Sequence, residues 1–310
     1  MKSSLGTGPV KRVLVFGATG SFGSKLAECL ALEQVCVVAW VRPDTLLGKK
    51  ERLDKLRIAG VEIIEGDFGS RSQILAALTG VHTVVSCLSG VALTLQLELL
   101  GIAKAAGVQR FVPSEYGSSP EMAANDPCME GSVFMTKQAV RGAVLASGMA
   151  WTILAGFTFM HYFLPRLGEL SAELQCPPEE VQVFCNGQYK ASFVTLENAA
   201  ALAAKVVLDS RTTNKFIHIR PPGHHLSQPE LIHTWTRVSG QGVQQIPVPS
   251  LVDSIRGSRG AERARLQFTY YIWERGSQSA TIPNDELEAC KLYPHVSLVS
   301  PSAYLAALCT

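Results

Sequence analysis

Three glycines, Gly17, Gly20 and Gly23, stand three residues apart in "VLVFGATGSFGSKLAECL" (Val13–Leu30), between an apolar run and an amphipathic one. Glycines placed this way clear room for a phosphate. The first permits a tight turn, the second lets backbone approach a pyrophosphate, and the third lets a helix pack on a strand. The helix then offers free N–H groups and the positive end of its dipole to the anion. Thr19 and Ser21 add hydroxyls, and Phe22 sits in the same turn. Arg42 ends the next apolar run, "AWVRP", where a site for an unmodified ribose would carry an acid. An arginine there forks onto a 2′-phosphate. Lys49 and Lys50 follow closely enough to reinforce it. The combination favours NADP(H), with solvated loop cations as the alternative reading. Asp67 and Phe68 follow the third apolar run, placed to flank an adenine, although Asp67 serves equally as a helix-entry cap. Ser86, in the fourth run, completes the expected cofactor contacts.

The elements around these residues alternate. Apolar β-rich runs at 12–17, 35–41, 61–67, 82–88, 108–114 and 150–156 are separated by helical patterns, one capped by Ser70 and another near Ser132–Ser147. Near-continuous apolar strands joined through helices predict a parallel sheet covered on both faces. Right-handed crossovers make it an α/β, doubly wound, Rossmann-type fold, with its crevice at the carboxyl ends of the strands. After Gly156 the rhythm changes. A helix and proline-rich loop are read over Pro165–Glu180, and Asn186-Gly187 signals a hairpin. A helix follows from Leu196, then the strand "KFIHIR", then a helix that Ser227 caps. The expected division is a cofactor-binding domain over 10–157, its sheet extended by segments within 188–220. A smaller substrate-binding lobe takes 158–187 and 221–310.

Composition narrows the class of protein. The chain has 310 residues, is 47% hydrophobic and 17% charged, and carries a net charge of +2. Such a chain has a well-formed core and no electrostatic reason to seek nucleic acid or an anionic membrane. The N-terminal "MKSSLGTGPVKR" lacks a signal-peptide h-region, and the longest apolar stretch, Met149–Met160, is too short to span a bilayer. Eight scattered cysteines without a C-x-x-C pair read as free thiols in a reducing, cytoplasmic setting. His224-His225 has no partner at metal-site spacing, so no metal is expected. Monomer and homodimer are both open.

Longer motifs carry a resemblance. "GATGSFG", with a spacing similar to that of short-chain dehydrogenases, "VRP", "VQRFVPSEYG" (108–117), "KQAVR" (137–141), "FIHIRPP", "LSQPELIHTW" and "ACKLYPHVSLVSPSAYL" together resemble the NmrA-like, isoflavone-reductase-like branch of the atypical short-chain dehydrogenases. The resemblance covers almost the whole chain and departs from the usual F-x-P-S-E-F-G stretch by placing Tyr116 for Phe. It implies a Rossmann domain, NADP(H), and a small aromatic or heterocyclic natural product as substrate. It also places Lys137 beside the nicotinamide and Phe157 at its border.

The Tyr-x-x-x-Lys pair of many short-chain dehydrogenases is incomplete, because Val133 stands four before Lys137. That agrees with the isoflavone-reductase branch, where the lysine serves alone. A charged lysine there binds the ribose and stabilises oxyanion charge; with its pKa lowered by desolvation, it exchanges a proton with substrate. Glu115 and Tyr116 leave the fifth strand at the crevice, Glu115 to orient the lysine or substrate or to brace the loop. His161 is a further acid–base candidate, with a packed or exposed histidine as the alternative. Three activities compete: an NADP(H)-dependent reductase; an enzyme that removes and returns a hydride around a rearrangement or cyclisation; and an NADP(H)-sensing regulatory protein.

Overall fold

A computed structural model describes residues 11–170 and 179–309. The N-terminal reading and residues 171–178 of the helix and loop read over Pro165–Glu180 lie outside the described residues; the start of that stretch is a single 3-10 turn, Leu164–Arg166, which ends at left-handed Leu167 rather than continuing as a helix. The first half alternates as its apolar runs require: β1 (Arg12–Phe16), α1 (Ser21–Leu32), β2 (Cys36–Val41), α2 (Pro43–Gly48), α3 (Lys50–Ile58), β3 (Glu62–Glu65), α4 (Arg71–Ala77), β4 (Thr83–Ser86), α5 (Leu95–Ala105), β5 (Arg110–Val112), α6 (Val133–Ala146) and β6 (Ala150–Ala155). The short α2, which begins on Pro43, precedes the expected helix. Ser70 occupies the N-cap of α4 but makes no capping hydrogen bond; its hydroxyl meets Ser72 instead.

Beyond β6 come β7 (Thr158–Phe159), α7 (Met160–Phe163), β8 (Glu180–Phe184), β9 (Lys190–Val194), α8 (Leu196–Leu208), β10 (Lys215–His218), β11 (His225–Ser227) and α9 (Gln228–Ser239). The chain ends with β12 (Gln244–Val248), α10 (Val252–Gly257), α11 (Gly260–Trp273), β13 (Leu287–Glu288), α12 (Ala289–Leu292) and α13 (Pro301–Ala307). The main sheet runs β13-β10-β6-β5-β4-β1-β2-β3, parallel throughout. The order reverses at β1, between β2 and β4, and a doubly wound sheet opens its ligand crevice at that point.

β10, within 188–220, extends the main sheet beside β6, and a further edge strand, β13, comes from the C-terminal segment. One expectation needs correction: the hairpin at Asn186-Gly187 does not form. β8 pairs with β12, while β9 pairs with β11 and β7. Cys185, Asn186 and Gly187 all have positive φ, and a Cβ on Gly187 would lie 2.4 Å from the Pro229 ring. The turn therefore docks on the start of α9 and sends its two flanking strands into different sheets. Ser227 caps α9 as expected, in a reciprocal capping box with Glu230.

One core covers the face where α1 meets α8. Ala199, Ala200, Ala203 and Ala204 are buried against Leu26, Ala27 and Leu30, so small side chains allow the two helices to approach closely. A second core, with Phe134, Phe163, Phe193, Tyr271 and Trp273, binds the C-terminal segments to α6. Among the described residues, no helix is long and apolar enough to cross a membrane.

Candidate active site

The glycine turn is a steric necessity. Gly17 has φ +82°, and a Cβ there would fall 2.6 Å from the Cys87 carbonyl oxygen. A Cβ on Gly23 would fall 2.2 Å from the Gly17 carbonyl oxygen. These two glycines let β1, β4 and the start of α1 come together. Gly20 differs: a Cβ there meets only the Gly17 carbonyl, at 3.2 Å, and the backbone is otherwise open. No side chain caps α1, so its first N–H groups are available to an anion. The cradle fits a dinucleotide pyrophosphate.

Two cations lean over this turn. Lys49 Nζ and Arg52 donate to the Thr19 carbonyl at 3.1 and 2.7 Å. Arg52 was not among the sequence candidates; it belongs to the charged surface pattern of α3. Lys50 is exposed at the start of that helix. Arg42 caps α2 by position, pairs with Asp44 at 3.4 Å, and keeps 57% of its side chain exposed. Asp67 Oδ1 accepts from the Gly69 N–H at 3.0 Å, which is its loop-bracing role. Phe68 packs on Phe16 and Trp40 at 5.6 and 6.2 Å. Ser86 is fully buried, and its hydroxyl accepts from the Leu88 N–H at 3.5 Å.

A cleft of about 610 Å³ runs from Gly20–Gly23 past Tyr116 and Lys137 to an aromatic wall of Phe157, Phe159, Tyr162 and Phe268. Phe157 is buried against Phe159, edge to face at 5.4 Å. Lys137 comes from α6 and is 8% exposed. Its Nζ donates to the Glu115 and Tyr116 carbonyls at 3.1 and 3.4 Å. Burial holds its pKa down at about 8, against the pull of Glu115. Val133, one turn earlier, also lines the cleft. Tyr116 brings a phenol to the cleft, and its ring lies 4.4 Å from Phe22. The Cys87 thiol donates to its hydroxyl at 4.0 Å. Burial pushes Tyr116 well above the ordinary range and Cys87 up to about 12, so both stay protonated at neutral pH.

Glu115 and His161 take the second of the two readings open to each, a loop-bracing carboxylate and a packed histidine. The Glu115 carboxylate turns to Arg141, which donates from Nε at 2.8 Å and again from its second nitrogen; only its main-chain carbonyl reaches Lys137. His161 stacks on Tyr162 at 3.7 Å, and burial lowers its pKa. Tyr162, rather than His161, lines the cleft. His224 and His225 bond to the Phe193 carbonyl and the Ser192 hydroxyl.

Gln278 was missed altogether. Its buried amide nitrogen donates to Ser118 Oγ at 2.8 Å, Thr158 Oγ1 at 2.7 Å and the Phe157 carbonyl at 3.2 Å. Its oxygen accepts from the Ser192 N–H at 2.9 Å. It therefore ties the loop after α11 to three residues of the cleft wall. No motif marks it, because its partners are 86 to 160 residues away.

The comparisons agree with this geometry. The NmrA-like family matches residues 9–300. Pinoresinol reductase 2 of Arabidopsis thaliana is 30% identical over 308 residues, covering 96% of this chain and 97% of that protein. Pinoresinol reductase 1 of the same plant is 31% identical over 304 residues, covering 95% and 96%. The structure of AtPrR2 with NADP+ and (+)pinoresinol superposes with a TM-score of 0.88 at 30% identity, covering 97% of this chain and 99% of that one. A crystal structure of isoflavone reductase gives 0.87 at 25% identity, covering 96% and 99%. With a phosphate cradle at the switch point and a buried lysine across the cleft, the chain belongs to the NmrA-like family, in its isoflavone-reductase-like branch of NADP(H)-dependent oxidoreductases.

Proposed function

We propose that this chain reduces a small aromatic natural product of secondary metabolism, with Lys137 managing the proton that accompanies the hydride. NADPH, when bound, supplies that hydride. The observation that carries the assignment of Lys137 is its placement: an amine buried in the cleft, resting on neutral carbonyls, with its pKa held at about 8. At pH 7 about nine in ten such amines are charged; in that form the lysine stabilises negative charge on a substrate oxygen and gives it the proton that accompanies the hydride. The Gly17–Gly23 turn and the first N–H groups of α1 hold the pyrophosphate. Arg42, Lys49 and Arg52 meet the 2′-phosphate, and Phe157 borders the nicotinamide. Phe159, Tyr162, Phe163 and Phe268 present flat apolar surface to an aromatic ligand.

We assign residues 10–157 to the cofactor side and 158–187 with 221–310 to the substrate side, and the protein to the cytoplasm. The free state of the seven described cysteines supports that compartment. The relatives' names make lignans of the pinoresinol type, then isoflavones, the first substrates to test. The test measures NADPH consumption and product identity together. Reduction with matching NADPH loss supports the proposal. Product formation without NADPH loss moves the assignment to the hydride-returning alternative. Tight NADPH binding without turnover on any aromatic substrate moves it to the sensor. Gly20→Val should still fold, since the Cβ needs only a small adjustment, yet lose NADPH binding; undiminished affinity would remove the turn from the site.

A further inference from the structure

We propose that Arg141 is a positioning residue for Lys137: it grips both ends of the segment 115–121 and so holds the carbonyls on which the lysine ammonium rests. The inference builds on the role given to Lys137 above and adds a residue to it. Arg141 stands four residues after Lys137 on α6, so the two side chains leave the same face of the helix. It is 7% exposed, and each guanidinium nitrogen is engaged. Nε donates to Glu115 Oε1 at 2.8 Å. One terminal nitrogen donates to Glu115 Oε2 and, at 2.8 Å, to Ser119 Oγ. The other donates to Glu121 Oε1. The plane lies over the Phe216 ring, 5.1 Å from its centroid.

The segment held in this way does three things at the cleft. Its Glu115 and Tyr116 carbonyls receive Lys137. Its Tyr116, Gly117 and Ser118 line the wall. Its Gly117 carbonyl accepts from the Gly156 and Phe157 N–H groups at 2.7 and 3.4 Å, joining it to the exit of β6. Only a planar fork with five donors reaches both carboxylates and the serine at once. A buried ion pair is weak evidence for stability, and this one sits directly behind the amine. It also turns the Glu115 carboxylate away from Lys137. Lys137 is left with uncharged acceptors and can titrate.

The experiment follows the Lys137 side chain by NMR in protein labelled with [13Cε]lysine, its signal assigned through Lys137→Arg, without substrate or cofactor. Amide exchange at Gly156 and Phe157 is measured alongside. The charged groups acting on Lys137 are Glu115 and Arg141, so the decisive variant removes both charges: Glu115→Gln with Arg141→Gln. With the segment released, water reaches the amine. The midpoint should rise from near 8 by about one unit or more toward the ordinary lysine value of about 10.4, and the two amides should exchange about tenfold faster. Arg141→Met should do the same. Arg141→Lys, which keeps the charge but not the fork, should show a smaller rise and serves if Arg141→Met does not fold. An unchanged midpoint in any folded variant overturns the proposal. So does a rise in Arg141→Met alone with none in the charge-free pair, which would make the effect one of charge, not placement. Failure of the function assigned to Lys137 is read separately, as unaltered turnover in Lys137→Ala.

Discussion

A buried arginine stands at each end of β5, Arg110 within the strand and Arg141 reaching across from α6, and the two are used in opposite ways. Arg110 starts the strand, at the amino edge of the sheet, and is 5% exposed. Its partners are all neutral: Thr152 Oγ1, Thr212 Oγ1 at 2.6 Å, and the Val207 and Asp209 carbonyls, both at 3.0 Å. Those carbonyls belong to the last turn of α8, where a cation also meets the negative end of the helix dipole. Burial lowers even this guanidinium, to about 10. Arg141 serves the other end, where β5 opens into the cleft, and its partners are two carboxylates and a hydroxyl. At the amino edge a buried cation closes off backbone that has no ligand to meet. At the carboxyl edge the same side chain holds a loop at the cleft. The crevice of an open parallel sheet lies at the carboxyl edge, so equal burial there has a different consequence.

Substitutions sharpen that contrast. The largest effect is expected from Arg110→Met, which strands several buried acceptors at once. It should lower stability by about 3 kcal/mol in urea unfolding, while Lys137 still titrates near 8 in the folded protein. A shifted Lys137 midpoint would break the separation of the two ends.

Lys137→Ala comes next. It should reduce kcat about a hundredfold, roughly 2.7 kcal/mol, with little change in unfolding midpoint. If the main loss is instead in NADPH affinity, and saturating cofactor restores the rate, the lysine holds the ribose only.

Arg42→Ala should follow, weakening NADPH binding about tenfold while sparing NADH, because its charge-assisted contact is made at an exposed site. Arg52→Ala measured beside it shows which cation carries the 2′-phosphate. Equal losses for both cofactors would exclude Arg42 from that role.

The smallest effect is a pH dependence. Lys137 has a folded-state pKa lowered to about 8 from the ordinary lysine value. Between those values the unfolded chain binds more protons, so stability rises with pH through that window. If the charged amine gives the substrate its proton, kcat falls as pH rises through about 8. In Lys137→Arg, whose side chain does not deprotonate there, that limb should disappear. A limb that persists in Lys137→Arg assigns it to another group.

How much of this was legible depends on the range of each interaction. The buried strands β1, β2 and β4–β6 read as apolar runs because a parallel sheet covered on both faces needs apolar residues on both faces. The glycine turn was legible because its three glycines lie within seven residues, although the Cys87 carbonyl that crowds Gly17 comes from the end of β4. Arg42 and Lys49 were legible by position after β2, but Arg52 was not: in "KKERLDKLRI" it looks like one more solvated charge until α3 folds against Thr19. The Asn186-Gly187 signal misled because turn chemistry permits a hairpin without deciding which strands pair. Pro229, 42 positions later in the sequence, decided it.

By itself the sequence determined the alternation of elements, the glycine turn between β1 and α1, the cofactor preference, and the lysine's place in the helix that follows β5. These rest on local backbone sterics and on periodicity, which a chain carries wherever it goes. Tertiary structure alone decided that Glu115 faces Arg141, that Tyr162 rather than His161 meets the cleft, that Gln278 ties the wall together, and that Lys137 loses its water. A pKa and a hydrogen-bond partner depend on what is packed around a group, and here that packing comes from segments 20 to 160 residues away. The order of residues names the lysine; only the packed core sets its charge.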